Sequence, residues 1–204
     1  MEVAFVLGNG ESRKGIRIDN LKKFGKTFAC NAIYREETAD VLVAVDPKML
    51  IEIAESEYLT NNVVWSNFNQ LYTKHPNIMN HVQFFQPSLG WSSGPTALKF
   101  AAEHNPEKIY ILGFDYQGHN KKQRKIFNNL YKDTRNYKKG GEEATFYGNW
   151  LNQTKKVFKD YPKIQFIRVT PRDWFRPKDL EWNKNLKHMD IEEFLQIHNL
   201  QIKI

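Results

Sequence analysis

Short apolar runs, separated by polar or glycine- and proline-containing stretches, are the feature that most constrains the fold of this chain. The clearest run spans residues 3–7 and ends at once in Gly8-Asn9-Gly10, as a buried strand entering a tight turn would. Seven such runs occur, at 3–7, 27–30, 41–45, 63–65, 82–85, 109–112 and 164–169. Their aliphatic and aromatic character predicts buried β-strands.

Helical patterns lie between these runs. The clearest covers residues 95–103, where Pro95 suits the first helical position and Ser93 or Gly94 the N-cap. Other patterns predict helices at 47–55, 149–159 and 191–197. Strands that alternate with helices predict an α/β fold, here a single Rossmann-like domain with a doubly wound, mostly parallel sheet.

Two stretches interrupt the alternation. Residues 117–145 are polar, basic and glycine-containing and exceed the length of ordinary connections, so they predict a lid inserted into the fold. Residues 170–190 contain three large aromatic residues and two prolines, and we expect an irregular cover over the sheet. We therefore predict a nucleotide-sugar-binding domain at 1–170, with 171–204 as a C-terminal wrap and helix of the same domain.

Positive charge is concentrated in one segment. The chain has 30 Lys and Arg against 23 Asp and Glu, a net charge of +7. Residues 121–139 hold eight of the basic residues and one acidic residue, which accounts for the whole excess. Such a segment favours a polyanion such as DNA, or a phosphate-bearing ligand, although a solvated loop can carry the same charge.

The remaining composition is that of an ordinary globular protein. No apolar run approaches the roughly 18 residues that a membrane span needs, so we expect no membrane partner. The single cysteine, Cys30, excludes an internal disulfide and a multi-cysteine metal site. These features predict a cytoplasmic location, or the host cytoplasm for a phage-encoded chain. The open edge of a parallel sheet would allow a dimer, and nothing in the sequence demands one.

Polar residues follow the apolar runs at the places where ligands bind in parallel α/β sheets, the carboxyl ends of the strands. Asn9, Asn31, Asp46 and Asp115 stand at four such ends. Backbone amides at the start of the 95–103 helix and in the first turn would attract a phosphate group. The predicted nucleotide site comprises Gly8, Asn9, Gly10, Ser12, Asn31, Ser92, Ser93 and Gly94.

Two common phosphate-binding motifs are absent. The first turn begins like a dinucleotide fingerprint, but Arg13 occupies the position of its third glycine. Gly25-Lys26-Thr27 precedes a strand, whereas the end of a Walker A motif follows one. No histidine and cysteine cluster has metal-ligand spacing, so we predict neither a metal ion nor another cofactor.

Four of these segments together resemble the bacterial sialyltransferases that use CMP-sialic acid, and related Rossmann-like domains of unknown function. The segments are Gly8-Asn9-Gly10-Glu11-Ser12, Cys30-Asn31, Ser92-Ser93-Gly94 and Leu112-Gly113-Phe114-Asp115-Tyr116. The resemblance covers about residues 1–170 in order and spacing. It implies a Rossmann-like domain with a lid, a site for a pyrimidine nucleotide, and a nucleotide sugar as co-substrate.

The resemblance also implies roles for individual residues. Asn9, Asn31, Ser93 and Gly94 match the positions that contact the cytidine nucleotide. In the family, lid tyrosines bind the donor phosphate, and they correspond to Tyr131 and Tyr137 in this chain. Arg124 and Arg135, in the same basic segment, are candidates for neutralising that phosphate because of their charge.

The chain departs from the family at two points. The family's general-base histidine falls near residues 146–149, where this chain has no histidine. Asp46 stands where the family usually has asparagine. The acceptor chemistry can therefore differ even if the nucleotide site is retained.

A glycosyl transfer that inverts the anomeric centre needs a base near the acceptor hydroxyl. Asp46 is our first candidate, because a carboxylate at a strand end is rigidly placed, and capping the following helix is an equal alternative. Asp115 is the second, with binding of a sugar hydroxyl or anchoring of the lid as alternatives. His119 is the third, since histidine titrates in the range that proton transfer requires, although a loop histidine is often merely solvated.

These observations predict a metal-independent glycosyltransferase that moves a sugar from a nucleotide sugar to an acceptor hydroxyl. The basic segment 121–139 extends the prediction to an acceptor in DNA, such as a hydroxylated base of the kind some phages modify, and a surface glycan is equally allowed. Two alternatives stay open. One is a Mg²⁺-dependent nucleotidyl or diphosphokinase-type transferase, and the other is a non-catalytic protein that binds nucleotides or nucleic acid.

Overall fold

A computed structural model describes residues 2–121 and 124–202, with the backbone alone at 119–121 and 124. The described residues form ten strands: β1 (Val3–Leu7), β2 (Lys26–Cys30), β3 (Val41–Val43), β4 (Val64–Ser66), β5 (Val82–Phe84), β6 (Lys108–Leu112), β7 (His119–Lys121), β8 (Arg124–Ile126), β9 (Gln165–Thr170) and β10 (Leu186–Asp190). Eight of them build one sheet in the order β10-β9-β6-β1-β2-β3-β4-β5. All neighbours in that sheet run parallel.

Seven helices accompany the strands in the described residues: α1 (Ile18–Lys22), α2 (Pro47–Ala54), α3 (Tyr58–Asn61), α4 (Pro76–His81), α5 (Ser93–Glu103), α6 (Gly148–Asp160) and α7 (Ile191–Ile197). Buried side chains form two clusters, one on each face of the sheet. Helices α5 and α6 contribute to one cluster, and α1, α2, α3, α4 and α7 to the other. The predicted α/β class with a doubly wound parallel sheet is therefore confirmed.

Each of the seven predicted apolar runs coincides with a strand of this sheet. The eighth strand, β10, lies within the stretch 170–190 that we expected to be irregular, so that expectation was wrong for residues 186–190. Strand β10 is at the edge of the sheet and pairs only with β9. Its sequence includes Lys187 and Asp190, because an edge strand is partly solvated and needs no continuous apolar run.

Helix α5 also begins earlier than the pattern predicted. Its N-cap is Ser92, so Pro95 is the third helical residue and Ser93 the first. The Ser93 hydroxyl oxygen accepts a hydrogen bond from the backbone N–H of Val45 at 3.0 Å, which attaches the start of α5 to the end of β3. The cap makes no side-chain hydrogen bond to the helix.

The point at which the chain changes direction across the sheet lies between β1 and β6. From β1 the chain proceeds through β2, β3, β4 and β5 to one edge, and α5 then returns it to β6 on the other side of β1. The carboxyl ends of β1 and β6 therefore lie side by side. The chain leaves β1 towards β2 on one side and leaves β6 towards β9 on the other. This is the crevice in which open α/β sheets bind ligands.

The insertion at 117–145 contains a two-stranded antiparallel hairpin, β7 and β8, to which Glu143 adds one bridge at Ile126. The segment that follows the hairpin packs onto the carboxyl ends of the central strands. The backbone N–H of Leu130 donates to the carbonyl oxygen of Asn9 at 2.8 Å, and the Tyr131 side chain is buried.

Candidate functional site

A cavity open to solvent occupies the crevice at the carboxyl ends of β1, β2 and β6. Four segments that lie far apart in the sequence line most of it: 8–10, 30–31, 92–95 and 113–118. The inserted segment and α6 complete the wall with residues 127–129, 144–145 and Trp150. Seven of the eight residues predicted for the nucleotide site line the cavity, and Ser12 lies behind the first turn.

The floor of the cavity depends on a close approach of two backbone turns. The N–H of Gly8 donates to the carbonyl of Leu112 at 2.8 Å, and the N–H of Gly10 donates to the carbonyl of Gly113 at 2.9 Å. Gly113 has φ of +69°, and a Cβ atom there would lie 2.5 Å from the carbonyl oxygen of Gly8. The two turns can meet in this way only because no side chain separates them.

Asn9 is buried and uses its side chain within the protein. Its amide nitrogen donates to the carbonyl of Cys30 at 2.9 Å, and its amide oxygen accepts from Arg13 at 3.1 Å. Arg13, the residue that stands at the third glycine of a dinucleotide fingerprint, also donates to the carbonyl of Gly8 at 2.5 Å. The side chain of Asn9 therefore joins the ends of β1 and β2, and Asn9 lines the cavity together with Gly8 and Gly10.

Asn31 differs from Asn9 because its side-chain oxygen is buried and has no hydrogen-bond donor in the part of the chain that the structure describes. Its φ is +56°, in the left-handed region that asparagine tolerates better than most residues. A buried carbonyl without a donor is unfavourable. Asn31 also lines the cavity, which makes its buried oxygen a candidate acceptor for a ligand N–H or O–H group.

Asp115 follows β6 and is 6% exposed. Its carboxylate accepts hydrogen bonds from the backbone N–H of Ser12 at 3.0 Å, from the Ser12 hydroxyl, and from the Asn128 amide at 3.1 Å. Burial raises the pKa of Asp115, and the bonds from Ser12 and Asn128 together with the charge of Arg168 oppose that rise. The carboxylate links the first turn, the end of β6 and the inserted segment.

Asp46 does not line the cavity. Its side chain is exposed, and one carboxylate oxygen accepts from the backbone N–H groups of Lys48 at 2.8 Å and Met49 at 3.3 Å. Of the two interpretations that the sequence left open, the structure shows the helix cap, with Pro47 in the first turn of α2. The side chains of His119 and Arg124 lie outside the described residues.

Tyr131, Tyr137 and Arg135 also lie outside the residues that line the cavity. The Tyr131 hydroxyl donates to Glu36 at 3.4 Å, and the Tyr137 hydroxyl accepts from the backbone N–H of Ala32 at 3.4 Å. Tyr137 thus contacts the residue next to Asn31. Arg135 pairs with Glu55 on the protein surface at 2.6 Å.

The basic segment is partly neutralised by carboxylates from the rest of the chain. Lys132 forms an ion pair with Glu11, and Arg135 with Glu55. A network around Glu52 holds the adjacent residues: its carboxylate accepts from Arg35 and from Asn136. The segment therefore makes specific contacts with α2 and with the first turn.

The structure adds residues to the site for which the sequence carried no signal. Asn128 donates to Asp115 and accepts from the backbone N–H of Glu11 at 2.9 Å. Trp150 lines the cavity from the first turn of α6. Both depend on how the insertion and α6 pack, which no local pattern encodes. Among the described residues no group of three or more His, Cys, Asp or Glu side chains could hold a metal ion.

No family model and no curated protein matches this chain. Among solved structures it is similar to the monofunctional alpha-2,3-sialyltransferase Cst-I from Campylobacter jejuni, with a TM-score of 0.59 and 14% identity over 86% of this chain and 78% of that one. The sialyltransferase CstII from Campylobacter jejuni, in complex with the substrate analogue cytidine-5'-monophosphate, has a TM-score of 0.49 at 14% identity, covering 91% and 86%.

A mutant of the alpha-2,3/8-sialyltransferase CstII has a TM-score of 0.47 at 17% identity, covering 84% of this chain and 82% of that one. The similarity to Cst-I shows that the two chains share a fold, as the sequence resemblance predicted. Within the described residues no helix is both long enough and apolar enough to cross a membrane.

Proposed function

We propose that this protein is a glycosyltransferase that takes a sugar from a nucleotide sugar and transfers it to an acceptor hydroxyl. One observation carries the proposal: the cavity between β1 and β6 joins the turn of residues 8–10, the uncommitted amide oxygen of Asn31 and the start of α5. The fold shared with the sialyltransferase Cst-I supports a nucleotide sugar as the ligand.

In this proposal the nucleotide binds along the strand ends. The backbone of Gly8–Gly10 and the N-terminus of α5, at Ser93 and Gly94, face the phosphate, where the positive end of the helix dipole stabilises negative charge. Asn31 accepts a hydrogen bond from the base or the ribose. The family resemblance favours a pyrimidine base.

The reaction breaks the bond between the anomeric carbon of the sugar and the phosphate oxygen of the nucleotide. The acceptor oxygen forms the new bond to that carbon, a protein base takes its proton, and the electron pair of the broken bond leaves with the nucleotide phosphate. Stabilisation of this departing charge by preorganised dipoles is the contribution expected from α5. The proposal needs no metal ion or other cofactor for that role.

We assign the base to His119, which follows Gly118 of the cavity wall. Asp115 is a poor base in this arrangement, because Ser12 and Asn128 already donate to its two oxygens. Asp46 is occupied in capping α2. A His119→Ala variant should retain nucleotide affinity and lose transfer.

The acceptor class can be tested separately. The pairing of Lys132 with Glu11 and of Arg135 with Glu55 lowers the positive potential that a DNA acceptor would use. We therefore do not restrict the acceptor to DNA. The same transfer assay is run with two kinds of acceptor in parallel. One is duplex DNA that contains hydroxymethylated bases, and the other is a simple glycan.

The test is a thermal-shift screen against CMP, CDP, UMP, UDP, GDP and ADP, each with Mg²⁺ and with EDTA, followed by donor hydrolysis. A ligand that binds only the folded protein raises the unfolding midpoint. We expect a shift with a pyrimidine nucleotide in EDTA that is lost in Asn31→Ala and kept in Asn80→Ala, an exposed position on α4.

The other outcomes separate the alternatives. Activity that EDTA abolishes would indicate the Mg²⁺-dependent phosphoryl or nucleotidyl transferase. A shift without hydrolysis or transfer of any donor would indicate a binding protein. The absence of any nucleotide shift would refute the proposal.

A further inference from the structure

Arg168, on β9, is among the largest fully buried side chains of the described residues, with 1% of its surface exposed. No salt bridge to a carboxylate is found for it among the residues that the structure describes. Burial lowers the pKa of its guanidinium group. The charge of Asp115 opposes this lowering, although no direct ion pair joins the two groups. Because a buried cation without a direct ion pair costs stability, this position needs an explanation beyond core packing.

The guanidinium group of Arg168 makes three hydrogen bonds to two carbonyl groups. Its Nε donates to the carbonyl oxygen of Phe114 at 3.0 Å, and both terminal nitrogens donate to that of Phe175 at 3.1 Å. Its central carbon lies 5.2 Å from the centroid of the Tyr116 ring. The guanidinium group therefore contacts the turn after β6, through Phe114 and Tyr116, and joins it to Phe175 in the segment that follows β9.

That turn forms part of the cavity wall. Phe114, Asp115 and Tyr116 all line the cavity, and Tyr116 adopts a φ of +60°, which is unfavourable for an aromatic residue. The Phe114 ring lies against Gly8 and Gly94, where a Cβ atom would come within 2.9 Å and 3.3 Å of it. The position of this turn therefore sets the position of the two backbone segments proposed to face the phosphate.

We propose that Arg168 is a positioning residue for the nucleotide site: its guanidinium group holds the Phe114–Tyr116 turn in the conformation that builds the cavity. The identity of the ligand in this inference rests on the proposed function, whereas the contacts of Arg168 with the turn do not depend on it. Arg168 acts through the turn and does not touch the ligand. Its buried charge is retained because a neutral side chain cannot bind both carbonyls and the ring face together.

A purely structural role makes a different prediction from a positioning role. If Arg168 only stabilises the fold, its loss lowers the free energy of unfolding and leaves nucleotide affinity unchanged. If it positions the turn, affinity falls even under conditions where the variant is fully folded.

The experiment compares Arg168→Met and Arg168→Lys with a control of similar stability loss. Phe194→Leu serves as the control, since Phe194 is fully buried in the cluster on the opposite face of the sheet. Urea unfolding defines conditions in which all three are folded, and calorimetry with CMP measures affinity there. We expect about a tenfold weaker CMP affinity in both Arg168 variants and an unchanged affinity in Phe194→Leu.

Arg168→Lys also covers the case in which Arg168→Met fails to fold. It keeps the charge but replaces the fork by one ammonium group, which cannot reach both carbonyls. Wild-type affinity in a folded Arg168→Lys or Arg168→Met variant would overturn the inference.

A second readout does not depend on the nucleotide. The charge of Arg168 lowers the pKa of Asp115 in the same turn. Because loss of that charge alone would raise the pKa of Asp115, the ¹³C titration of the Asp115 carboxyl carbon uses Arg168→Lys, which keeps the charge. A displaced turn should change the Asp115 pKa in Arg168→Lys, and Phe194→Leu should leave it unchanged. If wild-type protein binds no nucleotide, the proposed function fails, and an Asp115 titration in Arg168→Lys equal to that of wild type would then overturn this inference as well.

Discussion

Ser12 and Asp115, 103 positions apart in the chain, are joined by two hydrogen bonds to one carboxylate. The backbone N–H and the hydroxyl of Ser12 each donate to a different oxygen of Asp115. The contact fixes the turn after β1 against the end of β6, and Asn128 adds a third donor from the insertion. The two turns that form the floor of the cavity are thus held together by a buried group that can be titrated.

The first prediction concerns the pH dependence of this contact. Burial raises the pKa of Asp115 above its ordinary value of about 3.9. The folded state therefore binds the proton more tightly than the unfolded state, and this group contributes more stability as pH falls through the raised pKa. We expect the free energy of unfolding of wild type, relative to Asp115→Asn, to increase from pH 7 towards pH 4.

Urea unfolding of both proteins at several pH values measures this difference. Asp115→Asn removes the titrating group and keeps the shape of the side chain. The difference in unfolding free energy between the two proteins therefore cancels the contributions of the other carboxylates. A difference that stays constant or shrinks on acidification would show that the carboxyl pKa is not raised.

The second prediction is an opposite pH dependence at Glu52. Burial acts to raise its pKa, but hydrogen bonds from Tyr34, Arg35 and Asn136 outweigh burial and lower it. Its stabilising contribution is present above the unfolded pKa near 4.3 and is lost as pH falls through the lower folded pKa. Glu52→Gln should therefore lower the free energy of unfolding by about 1–3 kcal/mol at pH 7.

The matched control for Glu52 is Glu103→Gln, which removes one partner of an exposed pair with Lys99 on α5. Exposed pairs of this kind contribute under about 1 kcal/mol. Amide hydrogen exchange should also accelerate at residues 134–137 in Glu52→Gln alone, because Asn136 loses its partner there. Equal effects of the two variants would contradict the network described around Glu52.

The third prediction separates backbone conformation from side-chain chemistry at Asn31. Asn31→Gly permits the φ of +56° without a Cβ atom, whereas Asn31→Ala adds about 1 kcal/mol of strain. Both variants lack the buried amide oxygen. We expect equal losses of CMP affinity by calorimetry and a lower unfolding midpoint in the alanine variant only. Retained affinity in Asn31→Gly would mean that the backbone, and not the amide, binds the nucleotide.

The fourth prediction tests the close approach of the two turns with three glycine-to-alanine variants. Gly113→Ala combines a φ of +69° with a clash against the Gly8 carbonyl, Gly90→Ala has a φ of +65° with open space, and Gly141→Ala has open space alone. We expect the unfolding free energy to fall by more than about 3 kcal/mol in Gly113→Ala and by about 1 kcal/mol in Gly90→Ala. In Gly141→Ala it should hardly change. Equal losses at Gly113 and Gly90 would show that the turns can move apart.

Much of the fold follows from local sequence. Seven of the eight strands of the sheet coincide with apolar runs: the six inner strands, which are covered on both faces and need apolar residues throughout, and the edge strand β5. Strand β10, at the opposite edge, escaped this pattern because it carries charges such as Lys187. Helices α1, α3 and α4 escaped it because four to six residues are too few to show a helical period.

The candidate site follows from the sequence to a smaller extent. Asn31 and Ser93 reach the cavity as predicted, because they stand at the carboxyl end of a strand and at the start of a helix. Asp46 has the same kind of position and turns instead to cap α2. Tyr131 and Tyr137 pack beside the strand ends, where a local pattern could not place them.

The sequence by itself determined seven strands of the main sheet, the main helices and the polar residues that end them, since these depend on neighbours within one turn or one strand. Only the tertiary structure decided that β1 lies beside β6, that Asp115 meets Ser12, and that Glu52 holds the insertion. The physical reason is that the contacts of Asp115 with Ser12 and of Glu52 with Asn136 join residues 103 and 84 positions apart. Their pairing depends on the packing of the whole sheet, and no local preference encodes it.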